Sequence, residues 1–199
     1  AEVFFHTDFA GSSGTGYLGP GSNKYLRVWE DPNGSEGIRL SWTQRQITQA
    51  GLSTSESAFL ADVAPGEWNF MEIFIDTDTG SVTAKVNGVK GFDQNFGTDK
   101  DKVGQWSPTV ALLGFNGKIQ VFQEVEIDDI YMDNKFERVV LGDKPTFSQL
   151  TFYELQLPVT RSADSIAFKI NYGAIDPAGD VYVYVINEDG AMNENGFLI

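Results

Sequence analysis

One acidic, strand-like segment constrains the architecture of the chain more than any other, Glu124-Val125-Glu126-Ile127-Asp128-Asp129-Ile130-Tyr131-Met132-Asp133. Alternate side chains of an extended strand share a face. The acidic residues at 124, 126 and 128 therefore project one way, and Val125 and Ile127 project the other. Further along, the apolar residues change parity to Ile130 and Met132. A bulge near residues 128–129 is predicted, because an extra residue there keeps both apolar sets on one face.

Composition sets the class of protein. The 199 residues suffice for one large β domain, or for a domain with a small companion. With 41% hydrophobic residues, among them 15 phenylalanines, the chain can bury a substantial core. The net charge of −14 argues against nucleic acid or an anionic membrane as a partner. The chain has no cysteine, which excludes disulfides, zinc–thiolate sites and thiol nucleophiles.

The location of the protein is predicted from what the sequence lacks. It contains no apolar run long enough to cross a bilayer and no signal peptide, and it begins Ala-Glu-Val as a processed or excised domain would. We expect a secreted or extracellular protein, free or at a cell surface, without membrane insertion. We also expect it to be part of a larger multidomain protein.

Short alternating runs bounded by Gly, Pro, Asn and Asp recur throughout, whereas long helical periodicity is absent, which predicts an all-β fold. A boundary is expected at residues 136–142, dividing the chain into domains 1–138 and 139–199. The predicted strands span residues 3–9, 24–30, 37–46, 68–76, 81–86, 109–115, 118–125, 126–133, 151–157, 165–172 and 180–187.

Two of these strands bring arginine and aromatic residues together. Alternation along residues 24–30 and 37–46 predicts one surface that carries Tyr25, Arg27, Trp29, Arg39 and Arg45. Aromatic rings stack on the C–H faces of sugars, and guanidinium groups pair bidentately with uronate or sulfate groups. This surface is a candidate ligand site. The alternative interpretation makes Trp29 part of the sandwich core and the arginines solvated residues of the sheet.

Several motifs resemble a known group of proteins. They are Trp68-Asn-Phe-Met-Glu72, Val86-Asn-Gly88 and the closing segment 127–133, and together they resemble the concanavalin A-like lectin/glucanase group in its laminin-G-like branch. The tail, with Glu154-Leu-Gln-Leu-Pro158 and Gly196-Phe-Leu-Ile199, resembles a small immunoglobulin-like extension. The resemblance covers residues 65–199 and, more loosely, the first third of the chain.

The resemblance implies an antiparallel β-sandwich of jelly-roll type that binds carbohydrate on a concave face or at its rim. The expected function is non-catalytic binding of an acidic or marine-type polysaccharide. Two alternatives remain open at this point. One is a polysaccharide lyase or glycoside hydrolase on the same fold, and the other is a structural or adhesion module that binds protein.

An enzyme would need catalytic groups, and the candidates are the carboxylates Glu124, Glu126 and Asp128. Laminarinase-like members of the group carry a Glu-x-Asp-x-Glu strand, but here Glu is in the middle and Asp at the end. Retaining hydrolysis needs carboxyl groups roughly 5–5.5 Å apart, whereas strand neighbours at i and i+4 are roughly 13 Å apart. A lyase would use a tyrosine such as Tyr17 or Tyr25 with the arginines. His6 is interpreted as a strand residue without a catalytic role.

Calcium is the one cofactor expected. Lectin-like jelly rolls often hold a structural calcium ion between the first strand and the closing strand. The resemblance therefore implies a site built from Asp8 with Asp128 or Asp129. The other acidic segments, residues 76–80 and 187–190, are interpreted as hairpin turns.

Overall fold

The computed structural model describes the backbone at residues 2–11, 26–29, 39–43, 46–50, 55–59, 66–95, 107–110 and 125–199. Side chains are described at residues 4–7, 66–95 and 126–199. The chain divides into two compact units, Ala1–Asn134 and Lys135–Ile199. The division therefore lies slightly before the boundary at 138/139 that the sequence suggests.

The described part of the first unit contains ten strands. They are β1 Glu2–Gly11, β2 Leu26–Trp29, β3 Arg39–Thr43, β4 Gln46–Ala50, β5 Ser55–Phe59, β6 Trp68–Asp76, β7 Ser81–Val86, β8 Val89–Asn95, β9 Ser107–Val110 and β10 Val125–Asp133. They form two five-stranded sheets, ordered β10-β1-β6-β7-β8 and β5-β4-β3-β2-β9, and every strand pair is antiparallel.

This architecture confirms the all-β sandwich. The jelly-roll and concanavalin A-like details stay predictions. Strands β6 and β7 have the predicted bounds. The strand predicted at 37–46 contains β3 but extends too far, because Gln46 already belongs to β4 and pairs with Thr43 of β3. Most of residues 109–125 lie outside the described residues.

The bulge predicted near residues 128–129 is confirmed. The pairing of β1 with β10 shifts between His6 and Asp8, so that Thr7 faces two residues of β10. Asp129 adopts φ 48°, a left-handed conformation that is uncommon for residues other than glycine. The shift places Ile127 opposite Phe9 and Met132 opposite Phe5, and so keeps both on one side of the sheet. Ile130 and Met132 are nevertheless 55% and 39% exposed, because β10 is an edge strand.

Strands β1 and β6 form the centre of the first sheet, and residues 4–7 and 71–75 are buried on both faces. We call one side the aliphatic face. It carries Phe5, Met71, Ile73, Ile75, Val82, Ala84, Val86 and Phe92, all of which are buried. The opposite side, the aromatic face, carries Phe4, Phe70, Phe74 and Tyr131. The rings of Phe4 and Phe74 lie 5.0 Å apart between centroids, a packing distance for aromatic pairs.

The described part of the second unit contains six strands. They are β11 Arg138–Gly142, β12 Tyr153–Gln156, β13 Pro158–Ser162, β14 Ser165–Phe168, β15 Tyr182–Ile186 and β16 Phe197–Leu198. They form a four-stranded sheet, β12-β11-β15-β16, and a separate pair, β13-β14. The boundary expected at 136–142 overlaps β11, in which every residue is buried. The immunoglobulin-like character of this unit stays a prediction.

Polar side chains complete the edges of the second unit. Asn193 accepts a hydrogen bond from the N–H of Val185 at 2.7 Å and donates one to the carbonyl of Val183 at 3.3 Å. The side chain thus continues along β15 the pairing that β16 provides only at Tyr182 and Val183.

A second polar side chain, Asp143, ties the end of β11 to the residues that lead into β12. Its Oδ1 accepts hydrogen bonds from the N–H groups of Thr151 and Phe152 at 2.9 and 3.0 Å, and its Oδ2 pairs with Lys144. Burial alone would raise the pKa of Asp143. The hydrogen bonds from Lys144 and the two backbone groups outweigh burial and lower the pKa to about 2.

The bulge makes a testable prediction at Asp129. Asp129→Val should lower the free energy of unfolding by about 1 kcal/mol, since a β-branched side chain tolerates the left-handed conformation less well than aspartate does. Asp129→Gly should stay within about 0.5 kcal/mol of the parent chain, as surface substitutions usually do. Urea unfolding checks both. The control is Glu126→Val, an exposed change on the same strand that also removes one charge. Equal losses of stability in Glu126→Val and Asp129→Val would contradict a backbone effect at position 129.

Asp143 predicts a pH dependence of stability. Its folded pKa of about 2 lies below the ordinary value of 3.8, so its contribution is present above pH 3.8 and is lost as pH falls through about 2. Asp143→Asn should therefore lower the free energy of unfolding of the second unit by about 2 kcal/mol at neutral pH. It should also reduce the loss of stability that occurs as the pH falls from 3.8 to about 2. Asp164→Asn, in the exposed turn between β13 and β14, is the control and should change neither.

Candidate functional site

The predicted arginine–tryptophan surface falls on the second sheet of the first unit. In the pairing of β2 with β3, Trp29 is opposite Arg39 and Arg27 is opposite Ser41. Directly opposed residues of an antiparallel pair belong to the same face. The backbone therefore brings positions 27, 29 and 39 together on one side. Tyr25 and Arg45 lie outside the described residues.

The register divides this sheet into two chemically different sides. Leu26 and Val28 share a side with mainly apolar partners on the neighbouring strands, which are Leu40, Trp42, Ile47, Ala58, Pro108 and Val110, together with Gln49 and Glu56. The other side collects positions occupied mainly by hydroxyl, amide and arginine residues, which are 27, 39, 41, 43, 46, 48, 55, 57, 107 and 109, together with Ala50 and Phe59. Trp29 belongs to this polar side, whereas Trp42 belongs to the apolar one. We call the polar side the Arg–Trp face.

The predicted catalytic carboxylates lie at a sheet edge. Glu126 and Asp128 are both exposed on β10, which pairs only with β1 in its sheet, and Glu124 lies outside the described residues. Asp128 Oδ1 accepts the N–H of Asp129 at 2.8 Å. Glycosidases hold two carboxyl groups on either side of the scissile bond, and the reaction consumes a water molecule. Both described carboxylates are exposed at this edge, and a catalytic role for them stays a prediction.

The predicted calcium ligands are neighbours in the backbone. Asp8 is the register partner of Asp128, and Asp129 follows in the bulge. The side chain of Asp8 lies outside the described part, and among the described side chains no group of three His, Asp or Glu residues is placed to hold a metal ion. Calcium binding stays a prediction. The turn at residues 76–80 is confirmed as a hairpin, with Asp76 Oδ1 accepting the N–H of Asp78 at 2.8 Å.

A buried polar row crosses the aromatic face of the first sheet. His6 is opposite Tyr131 on one neighbouring strand and Glu72 on the other, and Glu72 is opposite Lys85. His6 is 1% exposed and Glu72 is 2% exposed. A buried carboxylate is expensive unless it is paired. The register therefore brings a buried histidine and a buried carboxylate side by side on this face.

Aromatic rings surround the polar row. The rings of His6 and Phe70 are stacked with centroids 6.1 Å apart, and Lys85 Nζ lies 5.2 Å from the centroid of Phe74. The Tyr131 hydroxyl donates to the carboxylate of Asp133. Sequence reasoning missed this row. The available signal was the alternation in β6, where Glu72 has the parity of Phe70 and Phe74, and its partner His6 could not be found without the register.

No protein-family model matches the chain, and no curated protein matches it. Solved structures resemble it distantly. Sheep galectin-11 with glycerol is 9% identical over 66% of this chain and 88% of that chain, with a TM-score of 0.38. Ruminococcus gnavus IT-sialidase CBM40 bound to alpha2,3 sialyllactose is 14% identical over 63% and 74%, with a TM-score of 0.36.

A third structure concerns botulinum neurotoxin type C and its interaction with two ganglioside molecules. It is 11% identical over 92% of this chain and 50% of that chain, with a TM-score of 0.47. Likenesses at these scores identify neither a family nor a ligand for this chain. Within the described residues, the structure contains no helix long and apolar enough to cross a membrane.

The buried row predicts coupling between His6 and Glu72. Glu72→Leu should lower the free energy of unfolding by about 3 kcal/mol, because it leaves His6 buried without its register partner. The double variant His6→Leu/Glu72→Leu should recover most of that loss. Urea unfolding of both single variants and the double variant measures the interaction. A matched cycle of His6→Leu with Gln94→Leu on β8 should be additive, and additivity in the first cycle would show that the pair is uncoupled.

Proposed function

We propose that the chain binds an acidic polysaccharide without catalysing its cleavage, and that the Arg–Trp face of the first unit is the binding surface. The observation that carries the proposal is the register of the second sheet, in which Trp29 belongs to a side occupied mainly by arginine, hydroxyl and amide residues. A tryptophan on a polar side of a sheet is unusual unless it serves binding, since large apolar side chains are normally placed in cores.

The register also supports binding over the competing interpretation of Trp29 as core. By register, Trp42 and Leu40 lie on the other side of this sheet, with Leu26, Val28 and Ile47. That side offers apolar residues for a core without Trp29. Trp29 lies next to Arg39, whose guanidinium chemistry suits a planar anion such as uronate or sulfate.

The two arginines of the Arg–Trp face are the reason for proposing an acidic ligand. The chain carries a net charge of −14, so an anionic polymer is repelled by most of the molecule. Attraction must come from a local cationic cluster, and Arg27 and Arg39 provide one. Binding would then weaken with salt, because exposed charge pairs are screened. The proposal includes an extracellular location, where acidic polysaccharides occur.

Trp29→Ala combined with Arg27→Ala should abolish retention of acidic polysaccharide. Loss of a tryptophan anchor alone typically costs about 2 kcal/mol or more, which is about 30-fold in Kd. Binding to polyuronate and sulfated polymers, measured by affinity electrophoresis and calorimetry, tests this. The melting temperature should remain nearly unchanged, and a large drop would make Trp29 a core residue. Trp68→Ala is the matched aromatic control and should retain binding to these polymers.

The same polymers test for catalysis. Reducing ends report hydrolysis, and ultraviolet absorbance of unsaturated ends reports lyase activity. Binding without either product supports the proposal, whereas either product would make the protein an enzyme. If the chain neither binds these polymers nor forms either product, a module that binds protein would be favoured.

A further inference from the structure

Trp68 is exposed at the beginning of the central strand β6. It is 55% exposed, although the residues that follow it in the strand are mostly buried. It shares the aromatic face with Phe70, which is half-buried. A tryptophan on the surface of a sheet, with its backbone in a central strand, presents a flat apolar ring to solvent on a rigid support.

The backbone around Trp68 is held by a chain of amide hydrogen bonds. Asn69, which is 3% exposed, donates from Nδ2 to the carbonyl of Glu67 at 2.8 Å, so that this bond spans Trp68. Asn69 Oδ1 accepts from Asn87 Nδ2 at 3.1 Å, and Asn87 Oδ1 accepts the N–H of Phe70 at 3.1 Å. Two asparagine side chains therefore fix the segment that carries an exposed ring. Rigidity of this kind lowers the entropy cost of binding.

Carboxylates lie across the sheet from this ring. The register joins Trp68 to Ala10 and Ala10 to Glu126, and in the next row it joins Phe70 to Asp8 and Asp8 to Asp128. Glu126 and Asp128 are exposed. Two strand spacings, roughly 10 Å, separate the aromatic residues of β6 from the carboxylates of β10. Position 10 between them is an alanine, so the middle of the row has little side-chain bulk.

We propose that Trp68, Phe70, Glu126 and Asp128 form a second glycan-binding surface, the Trp68 surface, that takes uncharged hexose or pentose residues. The ring of Trp68 would stack on the C–H face of one sugar. The carboxylates would accept hydrogen bonds from its hydroxyl groups, and such charge-assisted bonds are the strong ones. The same carboxylates repel uronate and sulfate groups, so this surface selects against the ligands of the Arg–Trp face.

The experiment titrates the full chain with cellohexaose, laminarihexaose, mannohexaose and xylohexaose, and with hexagalacturonate as the charged counterpart, by calorimetry and tryptophan fluorescence. At least one neutral probe should bind. Trp68→Ala should weaken that binding at least about tenfold, with a smaller loss for Trp68→Phe. Trp29→Ala should leave it unchanged. Glu126→Ala, an exposed change that leaves the Trp68 ring in place, should also weaken binding and serves if Trp68→Ala fails to fold.

Two results would overturn this proposal. One is that none of the four neutral oligosaccharides binds at millimolar concentration. The other is neutral binding that survives Trp68→Ala and is lost in Trp29→Ala, which would assign the ligand to the Arg–Trp face. Failure of the Arg–Trp face is recognised separately, because it concerns hexagalacturonate and the acidic polymers and responds to Trp29→Ala.

Discussion

Pairing of β1 with two strands at once is the constraint on which the first unit depends. The strand lies between β10 and β6, and its residues Phe4 to Thr7 are buried. A slip of one residue on either side would turn every side chain of one strand to the other face. The position of Trp68 relative to Glu126, and of His6 relative to Glu72, follows from that register alone. Residues far apart in sequence become neighbours because a single strand aligns both partners.

The bulge at Asp129 divides the aromatic face into two environments. On one side of it the register groups Trp68, Glu126 and Asp128, which are open to solvent. On the other side it groups His6, Glu72 and Tyr131, of which the first two are buried. The bulge in this edge strand therefore marks the point at which the aromatic face changes from an exposed acidic surface to a buried region that contains polar side chains. Bulges commonly re-aim side chains next to functional surfaces in this way.

The sequence predicted the strands and turns that depend on local residue patterns. It failed where a segment depends on partner strands that lie far away in the chain. Strands β6 and β7 have their predicted bounds because alternation is clean and the turn between them is marked by Asp76 and Gly80. The bulge was predictable from the parity change alone. By contrast, β11 was not predicted as a strand, because its partners β12 and β15 follow later in the chain. The predicted ligand residues Arg27, Trp29 and Arg39 share a face by register. Trp68, by contrast, could be recognised as a candidate binding residue only from its exposed fraction in the structure.

The side chain of Asn193 has a consequence for how the protein behaves at high concentration. Strand β16 pairs with only two residues of β15, and Ile186 forms one isolated bridge with Met192. The backbone between Val183 and Ile186 is therefore the part of this border that a strand from another molecule could pair with. The amide of Asn193 occupies the N–H of Val185 and the carbonyl of Val183 instead. Val185 and Phe197 are exposed nearby, so an open border there would combine free backbone groups with apolar side chains, the combination that seeds fibrils. By occupying these two backbone groups, the Asn193 side chain opposes self-association at this border.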